Sequence, residues 1–247
     1  MELQFLGTGS GISLTLGNNN ALINRSILID CGFTAPERLS RLNCLATIDD
    51  IVITHLHGDH CHGLELLGFL NMFALKRRPR IHLTRSMADS LWNEVLKGTM
   101  MNLTGENNSP RNASFEEYFE ICHPEDNGMS IDAGEVNLVL QPSPHVPGKE
   151  SYSIRIHEHG KKRAFYTSDV CVPVTSIIAD ADSYATIFHD VQLFESGNDV
   201  HVSLKTLASL PDALKKKIIL MHYGEAIAQH DTSDFAGVAT TGRVYSW

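Results

Sequence analysis

Three imidazoles and one carboxylate fall within six residues, in the segment Thr54-His55-Leu56-His57-Gly58-Asp59-His60. The segment follows Ile51-Val52-Ile53-Thr54, a β-branched run that reads as a strand buried on both faces. A turn leaving such a strand aims successive side chains into the crevice beyond the sheet edge. Imidazole and carboxylate are the usual ligands of hydrolytic zinc, nickel, iron or manganese sites. A lone histidine is more often a core or solvated residue, but four ligand types at this density point to metal. Two sites need more donors than these four. The chain supplies them where further strands end: His145 in Ser143-Pro144-His145-Val146-Pro147-Gly148, Asp169 after Tyr166-Thr167-Ser168, and His222 after Ile218-Ile219-Leu220-Met221. His62, His82, His123, His157, His159 and His230 lack such a setting and read as structural or solvated.

The 247 residues are 43% hydrophobic and 20% charged, an ordinary globular balance with apolar mass enough for a sizeable core. No run of 18 apolar residues suggests a membrane span, and the first residues read as a strand rather than a secretory signal, so a cytoplasmic protein is expected. Five scattered cysteines without a CxxC pair argue against a disulfide framework or a thiolate site. The formal charge of −9 disfavours a long nucleic acid but not a small anion, because bound cations reverse the local potential. Gly7-Thr8-Gly9-Ser10-Gly11 is a tight turn without the Lys-Ser/Thr of a phosphate loop.

The absence of repeats and of Pro/Ser-rich linkers favours a single domain over 1–247. Strands are expected at 1–6, 21–23, 26–30, 51–54, 80–84, 135–141, 151–157, 163–167 and 217–221, and helices at 36–42, 63–76, 86–97 and 204–210. This pattern fits an α/β sandwich of two sheets flanked by helices. Residues 98–128 are polar and Asn-rich with apolar points, and a stretch this long is often functional.

The HxHxDH motif, followed in order by a His, an Asp and a His, resembles the metallo-β-lactamase superfamily and its phosphodiesterase branch, which includes RNase Z. The resemblance runs from Phe5-Leu6-Gly7-Thr8-Gly9 through His222. It implies an αβ/βα sandwich of two mixed sheets carrying two divalent metal ions, most readily Zn, with Mn as the other candidate. By position, His55, His57 and His145 would hold one ion and Asp59, His60 and His222 the other, with Asp169 bridging. Asp59 would also orient the attacking water. Phe188-His189-Asp190 resembles the His-Glu-Ala-Thr-Phe motif of RNase Z, and Val200-His201 the later histidine paired with that acid. The expected catalytic pair is therefore Asp190 orienting His201, which protonates the leaving oxygen.

RNase Z enzymes carry a basic arm between the loop histidine and the bridging aspartate. Here two strands fill the interval from His145 to Asp169, which leaves no room for the arm. Asn18-Asn19-Asn20, Leu28-Ile29-Asp30-Cys31-Gly32 and Leu220-Met221-His222-Tyr223 resemble compact bacterial and phage enzymes that include anti-Pycsar phosphodiesterases. The resemblance implies hydrolysis of 3′,5′-cyclic mononucleotides by a homodimer. It also suggests a lid at 98–128 in which Phe115, Tyr118 and Phe119 cover the nucleobase, reaching toward a partner's site. Transfer-RNA 3′-processing is the runner-up. A thioester or lactone hydrolase would share the ligands but leave the Phe-His-Asp and Val-His phrases without a purpose.

Overall fold

A computed structural model describes residues 1–171, 179, 183–197 and 199–247. The first sheet runs β16 (Val244–Ser246), β1 (Glu2–Gly7), β2 (Asn20–Ile23), β3 (Ile27–Ile29), β4 (Asp50–Val52), β5 (Arg80–His82) and β8 (Glu120–Cys122). It is antiparallel as far as β3 and parallel beyond. The second runs β15 (Gly237–Val238), β14 (Ile218–Met221), β13 (Thr186–Asp190), β12 (Lys161–Tyr166), β11 (Tyr152–Glu158), β10 (Val136–Pro142) and β9 (Ser130–Ala133). Its strands from β9 to β12 pair antiparallel, and those from β12 to β15 pair parallel. Two mixed sheets with flanking helices agree with the expected fold class.

Phe5 of β1 joins the sheets. Its ring meets Phe188 of β13 edge-on at 5.2 Å and Tyr166 of β12 at 6.4 Å, and Tyr245 closes the cluster 5.1 Å from Phe188. All four are buried. The expected strands are present, and β8, β9, β13, β15 and β16 add to them. The helix anticipated at 63–76 is α-helical over Leu64–Phe69 and continues as a π-helix over Leu70–Leu75. Thr84 starts the next helix, Arg85–Ser90, by accepting the Met87 N–H on its hydroxyl.

Residues 98–128 correct the lid expectation. Phe115, Tyr118 and Phe119 are buried in the main core and not held over the site. Phe115 stacks on Trp92 at 5.6 Å, Tyr118 packs against Phe69 and donates its hydroxyl to Met100 O at 2.7 Å, and Phe119 lies against Gly68. Three rings gain more from that burial than from standing in water until a ligand arrives. The stretch also contains a polar hairpin of β6 (Asn102–Thr104) and β7 (Pro110–Asn112), with an exposed tip.

The parallel half of the first sheet is pinned by a buried carboxylate. Arg80 donates Nε and Nη2 to Asp50 at 2.7 Å each, and His82 Nε2 reaches it at 2.7 Å. Burial pushes the Asp50 carboxyl up, but Arg80 and His82 outweigh it and hold the pKa down at about 2. A carboxyl depressed by folding stabilises above its ordinary value near 4, and that contribution fades as the pH falls from there toward 2. Asp50→Asn should cost about 2–4 kcal/mol at neutral pH. Denaturant titration at pH 7 and pH 3 checks this: the deficit should shrink at pH 3, and equal deficits would contradict it.

Candidate metal centre

The site forms where strands of both sheets end. In the second sheet β12, β13 and β14 are parallel neighbours, so their carboxyl ends deliver Asp169, Asp190 and His222 side by side. From the first sheet, β4 leads into His55 and His57, and the short helix Gly58–Cys61 carries Asp59 and His60. His145 arrives on the loop between β10 and β11. Ser168 and His222 sit in left-handed backbone, at φ 52° and 53°. Each such non-glycine residue costs about 1–3 kcal/mol, a strain the surrounding fold must impose.

Two overlapping donor groups result. His55, His57, His145 and Asp169 offer ligand atoms all within 4.8 Å of one another, as do Asp59, His60, Asp169 and His222. Asp169 Oδ2 is shared: it lies 3.4 Å from His60 and His222 Nε2 and 3.7 Å from His55 and His145 Nε2. These are the seven side chains singled out in the sequence; six are buried and His57 is half-buried.

The donor chemistry fits cations. His57 Nδ1 faces His55 Nε2 at 3.0 Å and His145 Nε2 at 3.1 Å. His145 Nδ1 already donates to Val200 O at 2.7 Å, which fixes a lone pair on its Nε2. One proton cannot serve three converging ring nitrogens, but a cation can. In the second group, His60 Nε2, His222 Nδ1 and Asp169 Oδ1 are buried without a hydrogen-bond partner. Burial, then the neighbouring imidazole charge of His60, holds His55 well below its ordinary value; burial, then His145, takes His57 to about 4. Both therefore stay neutral and able to ligate at physiological pH. Burial resists charge on Asp169 too, yet His222 and His60 hold its carboxyl well below the usual range.

Asp30, at the end of β3, was not assigned a role from the sequence. It is fully buried at φ 59° and accepts Thr54 N (2.8 Å) and Thr54 Oγ1, while Oδ2 takes the Nδ1–H of His60 at 2.8 Å. With Nδ1 so occupied, His60 turns Nε2 toward Asp59 and Asp169, 3.2 and 3.4 Å away. The signal was a carboxylate closing the apolar run Leu28-Ile29. Asp30→Asn would turn an amide N–H toward His60 and favour the opposite tautomer. Metal affinity should fall about 10–100-fold with the fold intact. Competition with a chromogenic chelator measures this, and unchanged affinity would show that Asp30 does not set the tautomer.

Beside the clusters, His201 Nδ1 bonds Asp190 Oδ2 at 2.9 Å, and His189 Nδ1 lies 3.2 Å from Asp190 Oδ1. The His201 ring is 4.9 Å from that of His222 and 5.0 Å from that of His145. Burial works against a charged His201, but Asp190 overrides it and raises the pKa to about 9. Asp190 and His201 also come within ligand reach of Asp169 and His222, but the bond between them already uses Asp190 Oδ2 and His201 Nδ1.

Residues 1–245 match the family described as Anti-Pycsar protein Apyc1. An Anti-Pycsar protein Apyc1 from Paenibacillus harenae is 35% identical over 93% of this chain and 92% of its own. One from Bacillus phage 010DV004 is 34% identical over 99% and 98%. Among solved structures, the metallo-β-lactamase fold protein YhfI from Bacillus subtilis superposes with a TM-score of 0.73 at 14% identity, over 99% of this chain and 98% of that one. The fold is thus the metallo-β-lactamase fold.

Proposed function

This chain belongs to the Anti-Pycsar Apyc1 family, and from that premise we propose that it is a metal-dependent phosphodiesterase that opens 3′,5′-cyclic mononucleotides. One observation carries the reading: a histidine, hydrogen-bonded to a buried aspartate, stands beside two donor groups that share a carboxylate. His55, His57, His145 and Asp169 would hold one divalent ion, and Asp59, His60, Asp169 and His222 the other, with zinc or manganese suiting the nitrogen and oxygen donors. When bound, such a pair activates water at neutral pH and neutralises charge on phosphoryl oxygens. Asp59, which accepts from His222 at 3.2 Å, would also orient that water. Water adds to phosphorus as the P–O bond to the ribose oxygen breaks, and that oxygen needs a proton. His201 spends Nδ1 on Asp190, so Nε2 remains to donate it. A thioester, whose thiolate leaves without a proton, has less use for this acid, which favours a phosphodiester over a thioester.

Degradation of cyclic-nucleotide signals in the cytoplasm, by a homodimer, completes the proposal. The exposed β6–β7 tip is one part of residues 98–128 open to a second copy. Among the described residues no helix is long and apolar enough to cross a membrane. The test is hydrolysis of four 3′,5′-cyclic mononucleotides, a precursor transfer RNA and a thioester by zinc- and manganese-loaded protein, with His60→Ala as control. Opening of the cyclic nucleotides alone supports the reading. Cleavage of the transfer RNA or of the thioester in their place would overturn it.

A further inference from the structure

We propose that residues 11–16 form a fixed apolar lip of the metal centre that packs against the sugar and base of the substrate, with Glu225 as its positioning residue. This rests on the phosphodiesterase function proposed above. Ile12 and Leu14 are 89% and 94% exposed, the most exposed large hydrophobic side chains among the described residues. A loop that merely connected β1 to β2 would have no need to hold two branched aliphatic side chains in water.

The lip sits against the site. A Cβ placed on Gly11 would stand 3.0 Å from the Asp59 carboxylate. Adjacent Cα atoms are about 3.8 Å apart, which puts the Ile12 backbone within about 8 Å of that carboxylate. A side chain there is at the right range for the part of a nucleotide that extends beyond its phosphate. Glycine at 11 is what lets the chain pass so close to Asp59.

The loop is also held in place. Glu225 Oε1 accepts the N–H groups of Leu14 and Thr15 and the Thr15 hydroxyl at 3.0 Å each, and the Ser13 hydroxyl at 3.4 Å. Glu225 opens the 3₁₀ turn Glu225–Gln229, three residues after His222. Ser10 N donates to Tyr223 O at 3.1 Å, and Tyr223 N to Thr8 O at 3.2 Å. The lip is therefore tied on one side to the strand end that carries a ligand and abuts another ligand on the other. Two successive N–H groups would suit an anion, but Glu225 has taken them. What Ile12 and Leu14 present outward is hydrocarbon, suited to the flat face of a base or the carbon skeleton of ribose.

The experiment compares the metal-loaded wild type with Ile12→Ser/Leu14→Ser and Glu225→Ala, on a 3′,5′-cyclic mononucleotide and on methyl p-nitrophenyl phosphate, which has neither sugar nor base. Both variants should keep the wild-type metal content. On the cyclic nucleotide KM should rise about tenfold with kcat within about twofold, the scale expected for lost apolar contact. On the small diester both constants should stay put. An unchanged KM for the cyclic nucleotide, or an equal loss on both substrates, would overturn the lip. A wild type that cleaves the small diester but no cyclic nucleotide would instead overturn the substrate proposed above, and the lip with it.

Discussion

Replacing Asp169 with alanine is expected to cost at least about 10³-fold in turnover, some 4 kcal/mol of barrier. No other side chain belongs to both donor groups: its Oδ2 lies 3.4–3.7 Å from four imidazole nitrogens contributed by both sheets. The alanine variant leaves His55, His57 and His145 without a carboxylate, and the other group with Asp59 alone. Both affinities should fall, and the loss should not be confined to one ion. Elemental analysis after dialysis would show fewer than two ions per chain. Asp169→Asn guards against misfolding, since it keeps the shape and one acceptor but removes the charge. Full activity in either variant would mean that the carboxylate does not bridge.

His201→Ala should behave differently. Metal content stays at the wild-type level, because His201 is spoken for by Asp190, while kcat falls about 10²–10⁴-fold. The pH dependence gives a second readout. A general acid works in its protonated form, so turnover falls as the pH rises through its pKa. Asp190 raises that value to about 9, and two dications beside the imidazole would pull it back from there. The wild type should therefore lose activity along an alkaline limb below pH 9. His201→Ala should lack that limb, and Asp190→Asn should shift it to lower pH by weakening the hold on the proton. A diester with a p-nitrophenolate leaving group, which needs little protonation, should be cleaved by His201→Ala nearly as well as by wild type. Equal losses on both substrates would assign His201 to structure.

The seven clustered donors were legible because four are ligand types packed into one motif after a strong apolar run, and the other three come at or shortly after the end of a strand-like segment. Ile51-Val52-Ile53-Thr54 and Ile218-Ile219-Leu220-Met221 announce strand ends, and a strand end in this fold is a site. Asp30 was not legible as a partner of His60, because 30 positions separate them and only the β3–β4 pairing brings them within 2.8 Å. The burial of the three aromatic side chains in 98–128 was hidden for a related reason. Phe115, Tyr118 and Phe119 sit in a polar stretch that gives no helical or strand period long enough to show a buried face. Their burial comes from Trp92, Phe69 and Gly68, which lie elsewhere in the chain. The strands β15 and β16 span two and three residues, too short to leave a pattern.

The most direct test is a metal titration of the stripped protein with zinc or manganese, following hydrolysis of a cyclic mononucleotide. Two donor groups sharing Asp169 predict that activity is absent in chelator and saturates at two equivalents of metal per chain. Saturation at one equivalent, or turnover that survives chelation, would contradict a two-ion centre.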